Sequence, residues 1–327
     1  MGLWQKLLGW LNPSAPTAAP ADTLSPPPAG PVAGNLAQDA AARGAREPAF
    51  DPAAELAAPV ASMPSAPLAP PLSAAPVVAD AAPSPQADLF EAAASREADV
   101  PAAIADPALR EALSTYAGMA WDRQLDFADK VGERPWSADT AQGLIAFGDD
   151  LRFRMQVLGS YSFQSGTWLW IWAHTQAEVA PAFTEVARQL QGFGAAKNLA
   201  LFTDPRTALR QEDLHVIGLI AAGADNSAGY YLGNYGDGIL LALIDPDHGL
   251  PTTVAKPERV PTVVSQLISD FELDHRVLLQ HYLAAKGFSV QETGSRITGQ
   301  HGANRIVADL DSLGRISAVS GSLGPAA

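Results

Sequence analysis

The chain of 327 residues contains no cysteine, which excludes disulfide bonds, thiolate metal ligands and thiol nucleophiles. Basic side chains are scarce, since 21 Lys and Arg stand against 35 Asp and Glu, a formal net charge of −14 at pH 7. Sequence-independent binding to nucleic acid needs clustered positive charge, so nucleic acid is not an expected partner. The chain also lacks the roughly 20 consecutive apolar residues that a membrane-spanning helix requires. These absences favour an acidic, cytoplasmic protein.

The composition of the chain changes near residue 106. Residues 1–106 hold 18 of the 27 prolines, and beyond residue 12 they contain only Phe50 and Phe90 as aromatic residues. Such a stretch cannot bury enough apolar surface to offset its chain entropy, so residues 13–106 are predicted to be a disordered Pro/Ala-rich linker. The remaining residues include five of the seven tryptophans and suffice for one sizeable domain.

Residues 1–12 have the spacing of a short amphipathic helix that Pro13 ends. Its apolar stripe consists of Leu3, Trp4, Leu7, Leu8 and Leu11. A helix this short is marginal alone in water, so we expect it to fold against another surface. The alternatives are a protein partner, a membrane surface in a peripheral attachment, or the protein's own domain. Its single lysine slightly favours a protein over anionic lipid.

Beyond residue 106, the hydrophobic pattern alternates between helical and strand periods. Helices are predicted at 107–131, about 180–192, about 210–222 and roughly 258–286, and strands at 144–147, 151–162, 167–173, 230–235 and 239–244. Residues 288–319 read as a small β-meander. Strands joined by hairpins, with helices between them, indicate an α+β fold in which a two-layer antiparallel sheet of about five strands packs against helices. The predicted units are an α+β domain over 107–287 and a meander over 288–327.

Three tryptophans and a histidine alternate along residues 167–174. In a strand, these side chains project from one face: Trp168, Trp170, Trp172 and His174. A two-residue turn at Ser165-Gly166 would place Tyr161 opposite Trp170 on the same side. The pattern leaves two alternatives open, namely the floor of a core or the floor of an aromatic ligand pocket.

Other candidate chemistry is weaker. Glu212/His215 and Glu272/His275 have the spacing of helical metal sites, but a strong hairpin separates the two pairs and the helical bundle that such sites need is missing, so no metal site is predicted. Residues 245–249, Asp-Pro-Asp-His-Gly, place carboxylates and an imidazole after a buried strand, a pattern equally typical of a turn. There is no phosphate-binding glycine loop or nucleophile elbow, and neither a catalytic residue nor a cofactor is predicted.

A longer pattern gives a resemblance. Leu158-Gly159-Ser160-Tyr161-Ser162, followed by the tryptophan run and preceded by Trp121-Asp122 on a helix, resembles a family of bacterial proteins known only as a domain of unknown function. The resemblance covers about residues 107–285. That family has no assigned activity, so the resemblance implies none.

The sequence therefore favours a non-enzymatic binding or adaptor module, tethered through residues 1–12 to a protein partner or membrane surface. The alternative is a small-molecule-binding or enzymatic domain, with a pocket formed by Tyr161, the three tryptophans of the run and His174.

Overall fold

The computed structural model describes residues 103–175, 177, 179–246 and 256–324. Its helices are α1 (Pro107–Val131), α2 (Glu185–Lys197), α3 (Ala200–Thr203), α4 (Asp213–Asp225), α5 (Val260–Asp270) and α6 (His275–Ala285). Its strands are β1 (Trp136–Asp139), β2 (Leu144–Phe147), β3 (Leu151–Ser162), β4 (Thr167–Trp170), β5 (Arg206–Ala208), β6 (Gly229–Asn234), β7 (Gly238–Ile244), β8 (Ser289–Thr293), β9 (Arg296–His301), β10 (Asn304–Leu310) and β11 (Ile316–Ser322). Single 3-10 turns lie at Ala103–Ala105, Ile171–Ala173, Pro181–Phe183 and Pro257–Arg259.

The long strand β3 organises a seven-stranded sheet. It pairs antiparallel with β7 along residues 155–162, with β2 along residues 151–154 and with β4 along residues 159–162. The outer strands β1, β5 and β6 pair with β2, β4 and β7 respectively. The remaining strands, β8 to β11, form a separate antiparallel meander in chain order. The α+β prediction with a C-terminal meander is confirmed, although the short strands β1 and β5 were not predicted.

A bulge in β3 divides the apolar residues of this strand between two cores. The pairing of β3 with β7 changes register between Val157 and Gly159. Before the bulge, Phe153 and Met155 pack in a smaller core; after it, Tyr161 packs in the main core beneath the helices. A bulge inserts one residue and reverses the alternation of faces, which is why a single strand can serve both cores.

Helix α1 has the bounds that the sequence predicts. Asp106 caps its N-terminus by accepting a hydrogen bond from the Ala108 amide at 2.9 Å, and Gly132 follows its end with a positive φ of 59°. The side-chain amide of Gln124 also pairs with both backbone groups of Tyr230, at 2.9 and 3.0 Å. Gln124 thereby occupies part of the open edge of β6 as a neighbouring strand would.

The hairpin between β3 and β4 differs from the predicted register by two residues. Tyr161 pairs with Trp168 and Gly159 with Trp170, so the connection is a four-residue loop rather than the predicted two-residue turn. Gly166 closes this loop with a φ of +64° and donates a hydrogen bond to the Ser162 carbonyl at 2.9 Å. A shift of two residues preserves the alternation of faces, so the Trp168 and Trp170 indoles still share the side of Tyr161.

Two predicted helix boundaries are wrong, because tertiary contacts decided them. Helix α2 continues through Gly192 and Gly194 to Asn198, which ends it in the left-handed conformation. A Cβ atom on Gly194 would lie 2.4 Å from the Cβ atom of Phe202, so this glycine permits close packing rather than ending the helix.

The helix predicted over roughly 258–286 is two helices, α5 and α6. The chain is extended at Phe271, and Asp274 begins α6 by accepting hydrogen bonds from the backbone amides of Arg276 and Val277. The Asp274 amide itself donates to Ser114 of α1 at 2.9 Å. The break is therefore held by a capping residue and by a contact with a helix far away in the sequence.

A buried ionic cluster joins α1 to the C-terminal helices. The Asp122 carboxylate accepts a hydrogen bond from the Tyr282 hydroxyl at 2.9 Å and one from Lys286 Nζ at 2.5 Å. Lys286 is fully buried, and Arg259 lies 3.4 Å from the other Asp122 oxygen. Burial, reinforced by the Asp122 charge, raises the pKa of Tyr282, so its hydroxyl remains a donor.

We predict that Asp122→Ala strongly destabilises the protein, because the substitution leaves the Lys286 ammonium buried without its anion. Breaking a buried pair from one side costs about 3–5 kcal/mol. Asp129 supplies a matched control on the same helix, since its carboxylate is 79% exposed and lies 4.0 Å from Arg259. Asp129→Ala should change the free energy of unfolding by less than about 0.5 kcal/mol. Equal effects of the two substitutions in urea unfolding would contradict the prediction.

Candidate functional site

Trp168 and Trp170 lie in the main core. Both side chains are fully buried, and their rings meet edge to face at 5.3 Å between centroids. The Trp170 Nε1 atom donates a hydrogen bond to the Leu201 carbonyl at 2.8 Å, and its ring packs on Phe202. These indoles therefore pack in the main core and join the sheet to α3.

The predicted strand does not continue to Trp172 and His174, which corrects the prediction that they extend the same face. Strand β4 ends at Trp170, and residues 171–173 form a 3-10 turn. The pairing with β3 also ends at Gly159, opposite Trp170, so no ladder holds the chain extended. Trp172 is half-buried and stacks on Trp170 with 6.3 Å between ring centroids.

A cavity of about 240 Å³ lies beside the bulge of β3. Leu169 and Ile171, which alternate with the buried tryptophans, contribute to its wall, as does the half-buried Leu240 of β7. Its lining residues are Thr140, Val157, Gly159, Ser160, Leu169, Ile171, His174, Ala177, Val179, Tyr235 and Leu240. Bulges occur often beside binding sites because they redirect side chains locally. Here Val157 and Gly159, on either side of the bulged Leu158, belong to the wall.

The described part of residues 171–184, which we call the covering segment, borders this cavity. The Gln156 side chain of β3 donates a hydrogen bond to the Ala182 carbonyl at 3.0 Å and so ties the covering segment to the sheet. At the turn between β1 and β2, the Phe183 ring lies against Gly143, where a Cβ atom would be 2.3 Å from Phe183 Cδ1. Gly143, with a φ of +63°, therefore permits this contact. The Gln156 side chain of the sheet and the backbone of the Gly143 turn thus position the covering segment.

The polar groups of the cavity are hydroxyls and an imidazole. Ser160 and Tyr235 share a hydrogen bond between their side chains, while Thr140 and His174 line the cavity from the β1–β2 connection and the covering segment. Burial raises the pKa of Tyr235, although its hydrogen bond with Ser160 acts in the opposite direction. The phenol is therefore neutral at physiological pH, and the described lining residues include no Asp, Glu, Lys or Arg.

The structure separates the five residues predicted to bind a ligand. His174 lines the cavity, whereas Tyr161, Trp168 and Trp170 are buried in the main core and Trp172 packs against it. Sequence reasoning missed the wall residues on β3 and β7, including Val157, Leu240 and Ser160. One signal was present, since Gly159-Ser160 belongs to the motif that carries the family resemblance.

The predicted docking residues Leu3, Trp4, Leu7, Leu8 and Leu11 lie outside the described residues, as do residues 13–102 of the predicted linker and residues 247–249 of the Asp-Pro-Asp-His-Gly run. Within the part of the chain that the structure describes, no helix is long and apolar enough to cross a membrane. The same part shows no group of three or more His, Asp or Glu residues placed to hold a metal ion.

The two Glu-x-x-His pairs have separate surroundings. His215 of α4 is buried, with Nδ1 at 2.7 Å from the Tyr230 hydroxyl. The other histidine, His275, begins α6 and accepts a hydrogen bond from the Ile316 amide at 3.1 Å, while Glu272 pairs with Arg110 on the surface. Each imidazole thus contacts a group of the fold.

Residues 110–246 match the model of a family of unknown function, DUF6882. The resemblance expected from the Gly-Ser-x-Ser and tryptophan motifs is thereby confirmed, and no activity comes with it. Comparison with curated proteins and with solved structures finds no match. The matched range includes every described residue of the cavity wall, whereas Arg259, Tyr282 and Lys286 of the ionic cluster lie beyond it.

We predict that His215 makes the stability fall on acidification. Burial lowers the pKa of His215 from 6.5 to about 4, so the unfolded chain binds the extra proton between these values and the folded chain does not. Stability is therefore lost as the pH falls from about 6.5 to 4, and a shift of this size corresponds to about 3 kcal/mol.

Urea unfolding as a function of pH measures this contribution. His215→Gln should flatten the fall between pH 6.5 and 4, whereas His281→Gln, at an exposed position on α6, should leave the wild-type profile. A His215→Gln profile as steep as that of the wild type would refute the assignment.

Proposed function

We propose that the domain binds a small, uncharged and mainly apolar molecule in the cavity beside the β3 bulge. One observation carries this proposal: the described lining residues all fall in the region that matches the family model, and they include Gly159-Ser160 of the sequence pattern that gave the resemblance. A pocket with apolar walls and a few polar groups is the usual form of a small-molecule site.

The walls support a particular chemical class of ligand. Apolar side chains of Val157, Leu169, Ile171, Val179 and Leu240 supply most of the surface. The cavity of about 240 Å³ is smaller than the roughly 300–1,000 Å³ typical of sites for drug-sized molecules. Since an unpaired ion loses its hydration without compensation in such surroundings, a neutral ring or short chain with one hydrogen-bonding group fits best.

The hydrogen bonding favours binding over catalysis. The Ser160 hydroxyl is hydrogen-bonded to the Tyr235 phenol, which is not a base that would activate it as a nucleophile. The hydroxyls and the imidazole are instead suited to orient a polar group of the ligand. This supports a binding module.

We expect neutral phenol to bind the full-length chain and benzoate, which differs mainly by its charge, not to bind. Leu240→Trp should abolish phenol binding, because the larger side chain enters the cavity from its wall. Saturation-transfer NMR detects contact with the weak fragment directly. Native mass spectra before and after denaturation would show in addition whether the chain isolated from bacteria carries a molecule of its own.

A leucine outside the cavity provides the control for this substitution. Leu313 is 73% exposed and is not part of the wall, so Leu313→Trp should retain phenol binding. Equal saturation transfer in both tryptophan variants, or an equal signal from benzoate and phenol, would show that the fragment binds elsewhere and would refute the proposed site.

We further propose that residues 1–12 attach this binding module to a protein partner. The apolar stripe and the Pro/Ala-rich composition of residues 13–106 support an adaptor layout, since such spacers keep a docking segment away from its domain. A membrane surface is the competing attachment.

We predict that the full-length Leu7→Glu variant no longer forms a cross-link to its partner protein, because the substitution places a charge in the apolar stripe. Gln5→Glu adds the same charge outside that stripe and should keep the partner. Quantitative mass spectrometry of the cross-linked material compares the two variants. A partner that is retained by both variants, or wild-type protein that sediments with lipid vesicles instead, would contradict attachment to a protein.

A further inference from the structure

A second cavity, of about 290 Å³, lies where the described chain begins. Its wall is largely apolar, and Leu109, Leu201 and Leu209 are its largest side chains. Ala103 and Ala105 also belong to the wall, and the Ala103 amide donates a hydrogen bond to the buried Asp213 carboxylate at 3.0 Å. The preceding chain therefore leaves from the edge of this cavity, at a point held by a specific contact.

A polar atom of this wall lacks a partner. The Thr207 hydroxyl of β5 is buried and makes no hydrogen bond within the described residues. Buried hydroxyls are nearly always satisfied in proteins, so an unsatisfied one is an unusual feature of this wall.

We propose that residues 88–102 of the same chain dock in this cavity, with Leu89 and Phe90 as the apolar anchors. Residues 88–91 read Asp-Leu-Phe-Glu, the spacing of a helix N-terminus, in which an Asp caps and a Glu follows three residues later. Thirteen residues separate Phe90 from Ala103, about 20 Å if they are helical and about 43 Å if extended. Either length allows the anchors to return to the cavity.

Residues 13–106 contain two aromatic residues, and their distance along the chain from the cavity favours Phe90 over Phe50 as the docked one. Phe50 lies 53 residues before Ala103, against 13 for Phe90. Since the effective concentration of a tethered group falls roughly as the −3/2 power of tether length, Phe90 has about an eightfold advantage. Phe90 is the occupant that the geometry favours, and Phe50 is its natural control.

Chymotrypsin, which cleaves after phenylalanine, tests the docking on the full-length chain. The bonds Phe50–Asp51 and Phe90–Glu91 both precede an acidic residue, so they form a matched pair in one molecule. Docking should slow cleavage after Phe90 about tenfold relative to Phe50, because the protease cuts the undocked form. Equal rates of cleavage, measured by mass spectrometry at limiting protease, would overturn the proposal.

A wall substitution identifies the cavity as the docking site. Ala208 of β5 lines this cavity and is exposed, so Ala208→Glu places a charge there without disturbing the core. Cleavage after Phe90 should then rise to the rate seen after Phe50. Ala138→Glu, at an exposed position of the edge strand β1, should leave Phe90 protected. Protection that persists in Ala208→Glu would place the segment elsewhere and refute docking in this cavity.

Discussion

The buried charge of Asp122 is the constraint on which the assembly of the helices depends. A carboxylate removed from water needs a counter-ion and hydrogen-bond donors, and Lys286 and Tyr282 of the C-terminal region provide them. Asp126, one helical turn further along α1, binds Arg259 at 2.7 Å. Helix α1 thus presents its acidic residues to the C-terminal helices. The region that matches the family model therefore receives the partners of a buried charge from residues that lie beyond it in the sequence.

The bulge in β3 is the second organising feature. Because it reverses the alternation of faces, one strand supplies Met155 to the smaller core and Tyr161 to the main core. The first cavity lies beside this change of register, where Gly159 and Ser160 line it. In the neighbouring strand β4, alternate residues face opposite sides of the sheet: Trp170 is buried in the main core and Leu169 lines the cavity. The bulge thus lies between the two cores and next to the proposed ligand site.

Much of the fold could be predicted because its signals are local. The bounds of α1 follow from a capping aspartate and a glycine, those of β3 from period-two alternation, and β7 from a continuous apolar run after a turn. The two helix boundaries that were predicted wrongly share one cause, which is a contact with a residue outside the helix. Gly194 is in α2 because Phe202 packs on it, and the chain breaks before Asp274 because this residue caps α6 and contacts Ser114. No local pattern contains either partner, so periodicity alone could not find these boundaries.

The amino-acid sequence by itself determined the α+β class, the bounds of α1 and β3 and the resemblance to a family of unknown function, because backbone periods and capping act over a few residues. It also singled out His174, although not the wall against which this residue lies. Only the tertiary structure decided that Trp168 and Trp170 belong to the core, that the cavity lies beside the β3 bulge, and that Asp122 pairs with Lys286. These outcomes depend on register and on contacts between residues up to 164 positions apart, and such contacts form only when the whole chain packs.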